Sequence, residues 1–398
     1  MAFTHFHRKD TLLSNDWGIN QTGIQDLFSS ISGAIMAAMT TILSITLLIF
    51  TVLAGQYGAY ILRSFKIRAF SKFVLGWFSG TYIYLIYCIY KMTIGNEGSP
   101  IPQISITLGI IFTFVTIFLL ILYVHFLVRQ IQAGTVISQI ADELCESIKS
   151  MKPYNKAPPK EETLFLPEEI DFPKQEITLN RSGYLQSIDK QSLYDIADKI
   201  DMVLKILYRQ GDFIFTGSSV VVVYSKKKLN EDIISTIRSK FILGEKRVPL
   251  EDLECNLLNL LEMALRALSP GINDLMVANN CINYISESIA RLTSRQFPNT
   301  RHYNDKNKLL VISKEFSFEA YVSAAFNPLR QYAEDHCSVS IRLMENLIAI
   351  AKLAKDKWQK EVIACHFYAI FNAASQKHGN TVDLSAIEKR EKIFASLS

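Results

Sequence analysis

Three long apolar runs, none containing an ionised side chain, limit most sharply what this chain can fold into. Ile31–Leu53 runs for 23 residues, Phe73–Tyr90 for 18 and Ile104–Val128 for 25, with His125 the one strongly polar side chain of the last. A helix needs about 20 apolar residues to cross the hydrocarbon core of a bilayer. Helices are required because backbone polar groups in lipid must bond internally. The sequence therefore predicts a multi-pass α-helical membrane domain over 31–140, with spans near 31–54, 73–92 and 103–128. A cleaved signal peptide is the rival for the first run. That run starts late and lacks a basic leader directly before it.

The charges between the runs set an orientation. Arg63, Lys66, Arg68 and Lys72 lie between the first two runs, interleaved with Tyr57, Tyr60, Phe65 and Phe70. Between the second and third lies Gly95–Pro100, which carries no Lys or Arg beyond Lys91 at its edge. Lys and Arg are retained on the cytoplasmic side, and aromatic rings sit at headgroup level. The four cations are thus expected at the inner lipid interface. Everything after Arg129 is expected inside, and residues 1–30 form an extracytoplasmic or interfacial segment.

The first run has a distinct face. Gly33, Ala37, Thr41 and Ser44 recur at spacings of four and three, which places them on one side of a helix. Small residues let membrane helices approach closely, against a neighbour in this chain or in another copy. The same face, with Thr40, Thr46, Thr51 and Gln56 nearby, would also serve as the wall of a polar pathway.

Beyond Arg129 charged residues recur every few positions, as in a water-soluble domain, and the whole chain carries a formal net charge of +4. Acidic and basic residues are mixed, without the concentrated basic face that nucleic-acid binding needs. The six cysteines have no short pairing pattern and read as free thiols.

Residues 141–176 read as a helix end and a Pro-rich linker holding Pro153, Pro158, Pro159, Pro167 and Pro173. A small mixed α/β unit is expected over 177–248, with a strand at Ile177–Ile188, a helix over Lys190–Arg209 and a strand over Phe213–Tyr224. A helical domain over 249–398 completes an α+β, mostly helical cytoplasmic part. Within it, Leu253–Leu268 and a following helix meet at Ser269-Pro270-Gly271-Ile272-Asn273-Asp274. Arg266, Asn273 and Asp274 are either a polar site at this corner or an ion pair and a helix cap. In Asp335-His336-Cys337 and Cys365-His366, ligand types stand side by side, but adjacent helical residues point about 100° apart and do not converge. No phosphate-loop, dinucleotide, zinc-protease or nucleophile-elbow motif occurs. The expectation is therefore no catalytic residue, no metal and no cofactor.

Several segments carry a family resemblance. They include Leu75-Gly76-Trp77-Phe78-Ser79-Gly80-Thr81-Tyr82, Gly183-Tyr184-Leu185-Gln186-Ser187-Ile188-Asp189, Gly211-Asp212-Phe213 and Ala264 to Asp274. The chain resembles the predicted bacterial membrane proteins grouped as domain of unknown function 2254, from about Gly23 onward. It differs from the family pattern at Leu275, where proline is usual, and at Val277, where threonine is expected. The family also usually begins with a further span, whereas this chain starts with about thirty residues of mixed polarity. The resemblance implies a bacterial inner-membrane location and no particular reaction. Two functions fit: an oligomeric channel-like or transport-related protein with a cytoplasmic regulatory domain, or a membrane-anchored sensor or scaffold. In both, the partners are the bilayer and further copies of the chain.

Overall fold

The computed structural model describes residues 21–58, 69–94, 103–130, 133–154, 173–248 and 252–397. They fall into two compact units, one built from the spans and one from residues 133 onward with Gln56–Gly58.

The first unit holds three helices long and apolar enough to cross a membrane: α1 (Gln21–Tyr57), α2 (Ala69–Ile94) and α3 (Gln103–Gln130). All three predicted spans are present. Helix α1 starts ten residues before the apolar run, so part of the expected N-terminal segment prolongs the first span. Its 37 residues rise roughly 55 Å at 1.5 Å each, well beyond a hydrocarbon core of about 30 Å.

Inward residues of α1 follow a regular stripe. Phe28, Ser32, Ile35, Ile42 and Leu53 are buried, and Met39, Thr46 and Ile49 are half-buried. These positions step by three and four, the 3.5-residue repeat of helices crossing at a shallow angle. On α2 the matching stripe is Val74, Phe78, Thr81, Leu85, Cys88 and Met92. The α1 and α2 stripes meet Leu119 and Tyr123 of α3 in one apolar cluster. Lipid is as apolar as these side chains, so close packing and hydrogen bonds, rather than water exclusion, hold the helices together. Trp77 Nε1 donates to Thr116 Oγ1 at 3.2 Å, and Tyr84 donates to the Ser105 carbonyl at 2.9 Å. The Phe28 ring lies against Gly109, where a side chain would collide with it.

The second unit opens with α4 (Ala133–Lys149), whose buried stripe Val136, Ile137, Ile140, Ala141, Leu144 and Ile148 packs on α7 (Leu253–Ala267) and α8 (Leu275–Leu292). Two sheets follow. The larger has the order β1 (Lys174–Thr178), β5 (Ser219–Tyr224), β3 (Val203–Ile206), β8 (Leu309–Ser313), β7 (Arg301–Tyr303). It is antiparallel except for β3 against β8. The smaller has β2 (Gly183–Ile188) between β4 (Phe213–Ile214) and β6 (Phe241–Gly244). Helices α5 (Lys190–Ile200) and α6 (Glu231–Ser239) complete the mixed part. The rest is helical: α9 (Phe318–Ala333), α10 (Cys337–Leu353), α11 (Lys357–Lys377) and α12 (Thr381–Ala395).

Local readings needed correction here. The strand expected over 177–188 is two strands in different sheets, because the chain turns at Asn180-Arg181-Ser182. The helix expected over 190–209 stops at Ile200. Asp201 takes a left-handed φ of 61°, and Val203–Ile206 enters the sheet. Leu193, Ala197 and Ile200 are followed by Val203, Leu204 and Leu207 at spacings that imitate a continuing helix. The Phe213–Tyr224 strand is also divided, by a turn at Thr216-Gly217.

Candidate functional site

The small-residue face of α1 is left exposed by the other described spans, although Tyr82 and Ile86 of α2 flank it. Gly33, Ala37, Thr41 and Ser44 are all exposed, on the side of the helix opposite the buried stripe. Beside them Ser29, Ser32, Met36, Thr40, Tyr82 and Ile86 join Gly33, Ala37 and Thr41 around a groove of about 620 Å³. Ser44 lies outside the groove lining but continues the face. The hydroxyls turn inward: Thr40 donates to the Met36 carbonyl and Thr41 to that of Ala37, both at 2.9 Å. Each oxygen thereby satisfies its proton within the helix and keeps lone pairs for an outside donor. Chemically the face is a shallow, weakly polar surface, suited to a second helix or to water.

Of the four cations expected at the lipid interface, Lys72 is exposed near the start of α2. Arg63, Lys66 and Arg68 lie outside the described residues, as do the Gly95–Pro100 loop and residues 155–172 of the linker.

The corner between α7 and α8 takes the structural form weighed for it. Arg266 binds Glu262, with Nη2 at 2.7 Å from Oε1, one turn earlier on the same helix. Asp274 caps α8, accepting from the backbone N–H of Met276 at 3.1 Å and Val277 at 3.0 Å. Asn273 takes a left-handed φ of 47°, which Asn tolerates better than most residues. Arg266 thus pairs along α7, while Asn273 and Asp274 shape the turn and cap α8.

A larger polar cluster was not foreseen. Arg209 Nη2 meets Glu254 Oε1 at 2.6 Å, and Arg247 Nη2 meets Glu254 Oε2 at 3.3 Å. Arg247 Nε also pairs closely with Asp252. Lys314 Nζ lies 3.0 Å from Asp212 Oδ2, which also accepts from the Arg209 backbone N–H. The guanidinium of Arg209 sits over the Phe316 ring. Side chains of Asp252 and Glu254 are only 4% and 8% exposed. Burial opposes the charge on Arg247, but its bonds to Asp252 and Glu254 outweigh that and raise its pKa. Three cations face three anions, so the cluster is self-compensated. It ties the mixed part to the start of α7. Its partners come from turns up to 102 residues apart, and no local spacing announces it. The sole sequence hint was Gly211-Asp212, whose glycine stands where a side chain would strike Arg247 and Asp252.

The free thiols expected from the sequence are free here. Burial pushes the Cys281 thiol up to about 12, which makes it inert.

The family model described as "Predicted membrane protein (DUF2254)" matches residues 3–349. The uncharacterized protein Rv1290c of Mycobacterium tuberculosis (strain H37Rv) is 22% identical over 365 residues, covering 90% of this chain and 69% of that protein. The uncharacterized protein Mb1321c of Mycobacterium bovis is similar to the same extent. No solved structure matches the chain.

Proposed function

The chain belongs to the DUF2254 family of predicted membrane proteins, and from that premise we propose that it is an inner-membrane protein forming channel-like assemblies of several copies. One observation carries this reading: the face of α1 bearing Gly33, Ala37, Thr41 and Ser44 is turned outward, beside a groove that the described residues leave open. The inward stripes of α1, α2 and α3 already pack against one another. A pathway would therefore run between copies rather than through one. The unit from Ala133 onward would lie in the cytoplasm, as the basic residues between the first two spans imply, and act as the regulatory part.

Purified chain in liposomes tests the reading. Ion or small-osmolyte flux is expected from wild-type protein, and Gly33→Leu, which fills the groove, should reduce it tenfold or more. Liposomes that stay silent to ions and osmolytes would reject the channel.

A second reading, a membrane-anchored scaffold or sensor, has its own support. The hydroxyls of Ser32, Thr40, Thr41, Thr46 and Thr51 all donate to carbonyls of their own helix, which suits a dry helix contact. Silent liposomes together with a stable oligomer would favour it.

A further inference from the structure

The ends of three C-terminal helices bring together a donor set that neither functional reading uses. Cys337 is the first residue of α10, His378 caps the end of α11, and Asp383 lies in the first turn of α12. The thiol, one ring nitrogen and one carboxylate oxygen all lie within 4.8 Å of one another. In a closed tetrahedral zinc site such atoms stand about 3.5 Å apart, given metal–ligand bonds of about 2.0–2.3 Å. Small rotations of three half-buried side chains would close that gap. Nε2 of His378 is itself buried and has no hydrogen-bond partner, a cost that a ligand would remove.

We propose that Cys337, His378 and Asp383 bind one zinc ion, which fastens the ends of α10, α11 and α12 and leaves its fourth position to water. The donor types choose the metal. Thiolate and imidazole disfavour calcium and magnesium, which prefer all-oxygen sites, and suit zinc. Three protein ligands and one open position is a common zinc arrangement. A zinc-bound thiol gives up its proton to solvent, so affinity is expected to rise with pH. The family match ends at residue 349, so Cys337 lies within it and His378 and Asp383 lie beyond it. Sequence spacing hid it, because Cys337 and His378 stand 41 positions apart.

The test uses untagged, full-length chain in detergent, stripped with a chelator and titrated with zinc chloride. Metal analysis after desalting should give one zinc per chain for wild type and for Cys365→Ser, which alters an exposed thiol on α11. Cys337→Ser and Asp383→Asn should each weaken binding by at least about 100-fold. Cobalt(II) should produce a thiolate charge-transfer band that Cys337→Ser removes and Cys365→Ser keeps. Circular dichroism confirms that each variant is folded, and Asp383→Asn decides the matter should Cys337→Ser not fold. Much less than one zinc per wild-type chain would overturn the proposal. So would full binding retained in both variants, which would mark the metal as adventitious. Neither outcome depends on whether the spans conduct.

Discussion

At the scale of single residues, Gly211 shows how one position holds a distant network in place. Its φ of +92° and the nearness of Arg247 and Asp252 leave no room for a side chain. Gly211→Ala should destabilise the second unit by about 1–3 kcal/mol, read as a lower urea midpoint. Glu254→Gln removes the anion shared by Arg209 and Arg247. Breaking such a buried pair costs about 3–5 kcal/mol, because the remaining charges stay desolvated. Acid should act through two histidines. Burial, ahead of the nearby charges, lowers the pKa of His302 and of His366 below the ordinary 6.5. Between the folded and unfolded pKa values the unfolded chain binds more protons, so stability rises with pH. The contribution is present above pH ~6.5 and is lost as pH falls through the folded values. Thermal midpoints should drop on acidification below pH ~6.5, and the drop should shrink in His302→Asn. An unchanged acid slope in that variant would exclude His302 as a source.

At the scale of elements, legibility followed the range of the forces. The spans could be read because a run of apolar residues answers to the bilayer alone, whatever the rest of the chain does. The small-residue face of α1 was equally local, whereas the opposite, buried stripe depends on packing against the other spans. Between Ile177 and Tyr224 the outcome depended on partners far away. The β3 segment Val203–Ile206 is a strand because β5 and β8 flank it, and β8 lies more than a hundred residues downstream. Apolar spacing across Asp201 could not distinguish that from a longer helix. The α7–α8 corner was readable as a cap because capping is local, whereas the Arg209–Glu254 and Cys337–His378 juxtapositions were not. Packing within the spans gives its own prediction. Gly109→Leu should displace the Phe28 ring and weaken the α1–α3 contact, lowering the detergent-resistant melting point while the second unit keeps its own transition.

At the scale of the whole molecule, two units are joined in one chain, and the boundary falls between Gln132 and Ala133. Helix α4 belongs with the second unit, since its apolar stripe is covered by α7 and α8. Among the described residues of the first unit nothing comparable covers the small-residue face of α1, and the proposed assembly rests on that asymmetry. Disulfide cross-linking in native membranes tests it most directly, using single cysteines introduced into a chain whose six native cysteines are replaced by serine. Ala37→Cys, on the small-residue face, should give covalent dimers. Phe114→Cys, on α3 and 69% exposed, should give few. Cross-linking that is absent at position 37, or equal at both positions, would contradict assembly through α1.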